Sequence, residues 1–280
     1  QHGLAASGWE ELGTQRAAQP GKAQMLPNTA FANSGVTLYV WRNIEGAEDL
    51  AYRLANAGYD IVLTPANRLY FDLMPYPGPD EPGQNWAGYV DLDTMFDYVP
   101  YDDTRVAPED PTPLPGAQAL TESGRRNIRG LEGTLFTETV HDAGRLDYML
   151  MPRLLALAER AWAADPAWAR AADHQHAAPL HAAAWSTFTS QLGLQVLPGI
   201  DAGLMDVRYR IPPPGLARID GAVRANEQLP GLSLRYTTDG SEPAADSPLV
   251  SAPLTDAAII RVAAFDRNGR GGRSARIDNR

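Results

Sequence analysis

Apolar and polar positions along the 280-residue chain fall into two regimes. In the first, short apolar runs alternate with stretches of helical spacing. Val36-Thr37-Leu38-Tyr39-Val40-Trp41 is a β-branched and aromatic run without clean alternation, the pattern of a strand buried on both faces. Residues 47–57 place Leu50, Leu54 and Ala57 at helical spacing, and Gly58 stands where a C′ glycine ends a helix. Tyr59–Thr64 reads as a second short apolar strand, so the order is strand, helix, strand, the βαβ unit of a parallel sheet. Leu4-Ala5-Ala6-Ser7-Gly8-Trp9 reads as one more short buried strand. Natural domains rarely begin inside a core strand, so this chain is expected to be the C-terminal part of a longer protein.

From Pro65 to about residue 128 the pattern turns irregular and rich in proline. Aromatic residues at 70, 71, 76, 86, 89, 96, 98 and 101 argue against disorder there and for a functional loop region. Residues 129–137 read as a third strand. Tyr148–Trp162 reads as one amphipathic helix, with Met149, Leu154, Leu155, Leu157 and Ala158 among its apolar positions. A further helix is expected over about 178–192. The second regime follows a composition change at 205–214, where Tyr209-Arg210-Ile211-Pro212-Pro213-Pro214 reads as a linker. Residues 232–238 alternate into an Asp239-Gly240 turn, and residues 257–265 form another apolar run ahead of Asn268-Gly269. Short strands at this spacing predict a small antiparallel sandwich.

Composition narrows the chemistry. Asp+Glu 34 against Lys+Arg 24 gives a formal net charge of −10, which excludes nucleic-acid binding through a basic face. Hydrophobic residues at 44% supply a core, and no run approaches the ~18 apolar residues of a membrane helix. With Cys 0, disulfides, zinc–cysteine sites and a cysteine nucleophile are all excluded. His174, His176 and His181 lie in an Ala-rich stretch that reads as a solvated loop, not a metal site. His141-Asp142 reads as a turn into the next helix, and Gly269-Arg270-Gly271-Gly272 as a turn between β segments.

Four places stand at or just beyond predicted parallel strand ends: Trp9-Glu10-Glu11, Trp41, the Tyr70 segment and Phe136-Thr137-Glu138. Ligands of α/β sheets and barrels bind at the carboxyl ends of strands. Rings there offer faces to the apolar side of a pyranose, and carboxylates accept from its hydroxyls. Any single tryptophan is more simply a core residue; four strand ends sharing one chemistry favour a sugar site.

Gly8-Trp9-Glu10-Glu11, the run Leu50–Tyr59, Leu69-Tyr70-Phe71-Asp72, Pro79-Asp80-Glu81-Pro82-Gly83 with Trp86, and Gly133–Thr139 resemble consecutive blocks of family 20 β-N-acetylhexosaminidases of the bacterial chitobiase type. Tyr148–Trp162 resembles that family's most recognisable helix, and Tyr236–Pro243 resembles the immunoglobulin-like domain that closes chitobiases. The resemblance implies an α/β fold: the second half of a (β/α)8 TIM barrel over residues 1–204, then a small all-β immunoglobulin-like sandwich over 205–280. It implies a retaining exo-β-N-acetylhexosaminidase in which the substrate's own 2-acetamido group attacks C1. Substrates would be N-acetylglucosamine- or N-acetylgalactosamine-terminated oligosaccharides, with no cofactor, no metal, no nucleic acid and no membrane span. Periplasmic or secreted localisation follows from the same resemblance.

Residue by residue, Tyr70 matches the catalytic tyrosine that donates to the acetamido oxygen. Glu138 matches the glutamate that accepts from outer sugar hydroxyls, Trp9 and Trp41 match pocket tryptophans, and Trp86 matches the one that stacks on the +1 sugar. Phe136 stands where the family usually has Trp. The family's Asp-Glu pair in its His/Gly-Gly-Asp-Glu setting does not occur; Asp80-Glu81 and Glu109-Asp110 lie in proline-flanked sequence and do not replace it. The chain alone is therefore expected to be inactive. Two other readings remain open at this level. One is a non-catalytic carbohydrate-binding protein; the other is a different barrel glycosidase whose acid/base is Glu10, Glu11 or Glu138. An open half barrel is further expected to make the isolated chain poorly soluble or oligomeric.

Overall fold

A computed structural model describes residues 5–17, 24–255 and 259–278. The chain forms two compact units, Gln1–Ala182 and Ala183–Arg280.

The first unit is mixed α/β. Its centre is a parallel sheet of β1 (Ser7–Trp9), β4 (Thr37–Val40), β5 (Asp60–Leu63) and β8 (Ile128–Leu131), in that spatial order. Between β1 and β4 lies the antiparallel hairpin β2 (Thr14–Ala17) and β3 (Gln24–Pro27). Helix α1 (Leu50–Asn56) joins β4 to β5 as the spacing predicts. It buries Leu50 and Leu54 against Leu38, Val40, Ile61 and Leu63 of the sheet. Gly58 ends it at φ +102°, and a Cβ there would lie 2.6 Å from Asn33 Oδ1, so the position requires glycine twice over.

The connection from β5 to β8 is ordered, as its rings predict. It holds α2 (Ala66–Leu69), α3 (Leu92–Phe96), the hairpin β6 (Arg105–Ala107) and β7 (Asp110–Pro113), and α4 (Glu122–Arg125). Phe71, Phe96 and Tyr98 are buried within it.

Four expectations are corrected here. Leu4 lies outside the described residues, and β1 is an edge strand with mostly exposed side chains, not a buried one. The single helix expected over 148–162 is two, α5 (Ala143–Leu150) and α6 (Arg153–Trp162). Met151 is extended ahead of Pro152, because a residue before proline is driven out of the helical region. On α6 the buried stripe is Arg153, Ala156 and Arg160, while Leu154 is exposed. The histidine stretch is helix α7 (His174–Gln191), not a loop. His181 on it packs edge-on against Trp168 at 5.0 Å and bonds Asp97 Oδ1 at 2.6 Å.

The second unit is β-rich. β9 (Gly215–Ile219) pairs antiparallel with β10 (Ala222–Asn226), and β11 (Ser233–Thr237), β12 (Ile259–Phe265) and β13 (Ala275–Asp278) form a second antiparallel sheet. Val223, Leu234, Ile260 and Val262 supply buried side chains. Part of the expected strand 257–265 lies outside the described residues. The segment read as a linker is irregular yet buried: Tyr209 and Ile211 are 1% and 2% exposed. Prolines 212–214 carry no N–H, so three backbone donors that burial would otherwise have to satisfy are absent.

Candidate functional site

β1, β4, β5 and β8 run parallel, so their carboxyl ends lie on one side of the sheet. The segments that leave those ends build one wall. Trp41 follows β4 directly. Its N–H donates to Glu10 Oε2 at 3.2 Å, and its carbonyl accepts from the Ala66 N–H at 2.8 Å. Tyr70 follows α2. There the Phe71 N–H donates to the Thr134 carbonyl at 2.7 Å and the Thr134 N–H to the Leu69 carbonyl at 3.1 Å, extending the β5–β8 pairing past the strands.

These anchors bring four rings together. Trp86 packs edge-on against Trp41 at 5.8 Å and against Tyr70 at 6.0 Å, and Tyr70 lies 5.7 Å from Phe136. Edge-to-face contacts at these separations are attractive beyond simple area burial. Tyr70 is 2% exposed whereas Trp86 is 50% and Phe136 42%, so the wall is anchored at its base and open on one side. Trp9, at the end of β1, is exposed as well, but its ring contact is with Tyr39 at 6.2 Å and not with the four-ring wall. Glu138 lies in the turn beyond β8 and is exposed.

Two buried carboxyls stand beside the wall: Asp72, to which the sequence gives no role, and Glu10, which it offers as one candidate acid/base of a different glycosidase. Asp72 is 3% exposed, and its Oδ1 has no hydrogen-bond partner among the described residues. Burial raises its pKa and the charge of Glu138 adds to this, while Arg153 opposes it. The available signal was its place two residues after Tyr70, in the turn that follows it. Glu10 is fully buried, and its Oε1 likewise lacks a partner. Burial, with Glu11 adding charge, pushes its carboxyl from 4.5 up to about 7, against the pull of the Trp41 N–H. Such a value suits a general acid. With no exposed surface, however, Glu10 reaches no substrate; it supports the wall from beneath.

The Tyr70 phenol is raised well above its ordinary value by burial, then by the nearby carboxylates of Glu10 and Asp72. It therefore stays protonated and remains a donor. Among the described residues no group of three His, Cys, Asp or Glu is placed to hold a metal ion. His141-Asp142 leads into α5, with the Asp142 side chain accepting from the Arg145 N–H at 2.8 Å as its N-cap. No described helix is long and apolar enough to cross a membrane.

Residues 1–165 match the profile of the glycosyl hydrolase family 20 catalytic domain. The chain belongs to glycosyl hydrolase family 20. Residues 197–274 match the chitobiase/beta-hexosaminidase C-terminal domain, in agreement with the β-rich second unit. Among relatives, the chain is 26% identical over 276 residues to a beta-hexosaminidase of Vibrio vulnificus, covering 90% of this chain and 32% of that protein. It is 30% identical over 227 residues to the N,N'-diacetylchitobiase of Vibrio harveyi, covering 75% of this chain and 25% of that one. The chain thus spans about a third or less of the length of these family relatives. A solved family 20 exo beta-N-acetylglucosaminidase of Vibrio harveyi, in complex with N-acetylglucosamine, is 28% identical with a TM-score of 0.49, covering 74% of this chain and 25% of that one.

Proposed function

We propose that this chain carries the sugar-holding side of a retaining exo-β-N-acetylhexosaminidase site, for N-acetylglucosamine or N-acetylgalactosamine at non-reducing ends. The observation that carries the reading is the contiguous wall Trp41–Trp86–Tyr70–Phe136 with the carboxyls of Asp72 and Glu138 beside it. Family membership and relatives named beta-hexosaminidase and N,N'-diacetylchitobiase support the substrate class. In this reading β1, β4, β5 and β8 are consecutive strands of the second half of a (β/α)8 barrel over residues 1–204. Residues 205–280 form the immunoglobulin-like module, and the working enzyme is periplasmic or secreted and needs no cofactor.

The chemistry is substrate-assisted. The 2-acetamido carbonyl oxygen bonds to C1 as the glycosidic C–O bond breaks, and the departing oxygen takes a proton from a general acid. Water then opens the oxazolinium ring, with net retention. The Tyr70 hydroxyl donates to the acetamido oxygen and stabilises charge as the ring closes; its raised pKa keeps that proton in place. Trp9 and Trp41 wall the sugar, Phe136 packs on it, Glu138 accepts from its outer hydroxyls, and Trp86 stacks on the +1 sugar. The Asp-Glu pair that would orient the acetamido group and protonate the leaving oxygen is not in this sequence. By itself the chain therefore binds and does not hydrolyse.

The test is a tryptophan-fluorescence titration of the chain with N-acetylglucosamine and with glucose, alongside an assay for release from an aryl N-acetyl-β-glucosaminide. Saturable binding of the acetamido sugar alone, without turnover, is the expected outcome. Equal response to both sugars would remove the acetamido reading. Turnover that is abolished by Glu138→Gln with binding intact would make Glu138 the acid instead.

A further inference from the structure

Arg153 opens α6 and is 2% exposed. Its guanidinium is occupied by backbone carbonyls. Nη2 donates to Phe71 O at 2.6 Å and Met149 O at 2.5 Å, Nη1 donates to Leu73 O at 2.9 Å and Val90 O at 2.7 Å, and Nε donates to Met149 O at 3.1 Å. The guanidinium carbon also lies 5.5 Å from the centre of the Phe71 ring.

Phe71, Leu73 and Val90 bracket a single excursion of the chain. Phe71 and Leu73 lead away from Tyr70 and flank Asp72; Val90 closes the loop just past Trp86. Inside the bracket the backbone is clipped to itself. The Gln84 N–H donates to Asp72 O at 2.7 Å, Met74 N–H to Gln84 O at 2.8 Å, and Val90 N–H to Met74 O at 2.9 Å. Trp86, half exposed at the loop's far side, is held by edge contacts with Trp41 and Tyr70, so its position follows the backbone on either side of it.

We infer that Arg153 is a positioning residue for the sugar pocket, fixing both ends of the 71–90 loop and thereby the separation of Tyr70, Asp72 and Trp86. The inference rests on the pocket reading above and names a residue that acts without touching substrate. A guanidinium suits the task because its donors form a rigid planar fork that serves several carbonyls at once. A lysine ammonium, with three donors at one point, cannot span them. Loss of the fork strands buried carbonyls at both ends of the loop and lets the ring wall open.

The test uses the whole chain, labelled with 15N at its six tryptophans, as wild type, Arg153→Lys and Arg153→Met, with the Trp86 indole signal assigned by Trp86→Phe. In Arg153→Lys the melt stays cooperative, the Trp86 cross-peak shifts or splits, the Trp185 cross-peak stays in place, and Kd for N-acetylglucosamine rises roughly ten-fold or more. A folded Arg153→Lys variant with the Trp86 cross-peak and the sugar affinity both unchanged overturns the inference. Should both variants fail to fold, the wild-type arginine side chains decide. Arg153, identified by its Overhauser contacts to the Phe71 ring, shows hindered Nη rotation and slow proton exchange; free rotation overturns the inference. A wild-type chain that binds no sugar counts against the pocket, while the Trp86 cross-peak in Arg153→Lys still decides what Arg153 holds.

Discussion

Replacing Glu10 by Gln isolates the cost of a buried carboxylate beneath the pocket wall. The amide is close to isosteric, and its oxygen still accepts from the Trp41 N–H. The native carboxyl titrates at about 7 against 4.5 when unfolded, raised chiefly by burial. Between those values the folded state holds the extra proton, so stability is full below the unfolded value, falls as pH rises, and levels off above the folded value. A displacement of this size corresponds to about 3 kcal/mol of stability lost by alkaline pH, about 2 kcal/mol of it between roughly pH 5.5 and roughly pH 8.5. Gln carries no charge and escapes that loss. For a unit of this size the full cost is worth roughly 6–12 °C in Tm. Thermal melts of the wild type and Glu10→Gln across pH give the answer, since titrating groups that are not coupled to Glu10 cancel in the difference. The variant gains on the wild type as pH rises to about 7 and the gap then stays constant. A gap independent of pH would refute the reasoning, because the carboxyl would then ionise as it does in water.

Trp86→Ala leaves stability within about 1 kcal/mol, since half of the ring is already in solvent, but weakens N-acetylglucosamine binding on the order of ten-fold by loss of a stacking face; calorimetric titration and a melt separate the two effects. In Gly133→Ala the new Cβ falls 2.3 Å from Phe71 Cε2 and 2.7 Å from Leu157 Cδ2. With Phe71 buried and unable to swing away, the variant loses about 1–3 kcal/mol by denaturant unfolding. Asp97→Asn keeps an oxygen that can accept but removes the negative charge that helps to raise the His181 pKa. That pair contributes fully below the unfolded histidine pKa and fades as pH rises through the folded one. The substitution therefore costs about 1–2 kcal/mol near pH 5.5 and less near pH 9; equal loss at both pH values would show that the charge on His181 contributes nothing.

What the sequence disclosed and what it hid divide along the range of the interactions. β4, α1 and β5 were legible because the signals are local: a β-branched run, Leu50 and Leu54 four residues apart, and a glycine that only a helix end requires. The exposure of β1 was not, since an apolar run says nothing about whether its strand lies at the centre or the edge of a sheet. The burial of the Tyr209–Pro214 segment is hidden in the sequence because prolines usually mark solvent-facing linkers; here they ease burial by removing donors. At the site, Trp41 is adjacent to the end of its own strand and could be read from it. Trp86, by contrast, reaches Tyr70 only through the clipped 71–90 loop.

The deepest failure of periodicity is α6. Its leucines define the apolar face that the pattern predicts, but the stripe that is most buried carries Arg153 and Arg160. A hydrophobicity pattern assigns arginine to water because an unpaired buried charge is prohibitive. It cannot register that carbonyls of residues 71, 73 and 90, distant in sequence, supply acceptors to one guanidinium, or that Arg160 lies 4.8 Å from the Phe96 ring centre. The loop needs those donors as much as the arginine needs those acceptors, because irregular backbone buried beneath a pocket has no strand partner to satisfy its carbonyls. An arginine on the buried face of a helix beside a long, ring-rich loop is thus better read as the complement of that loop's missing ladder than as a solvated charge.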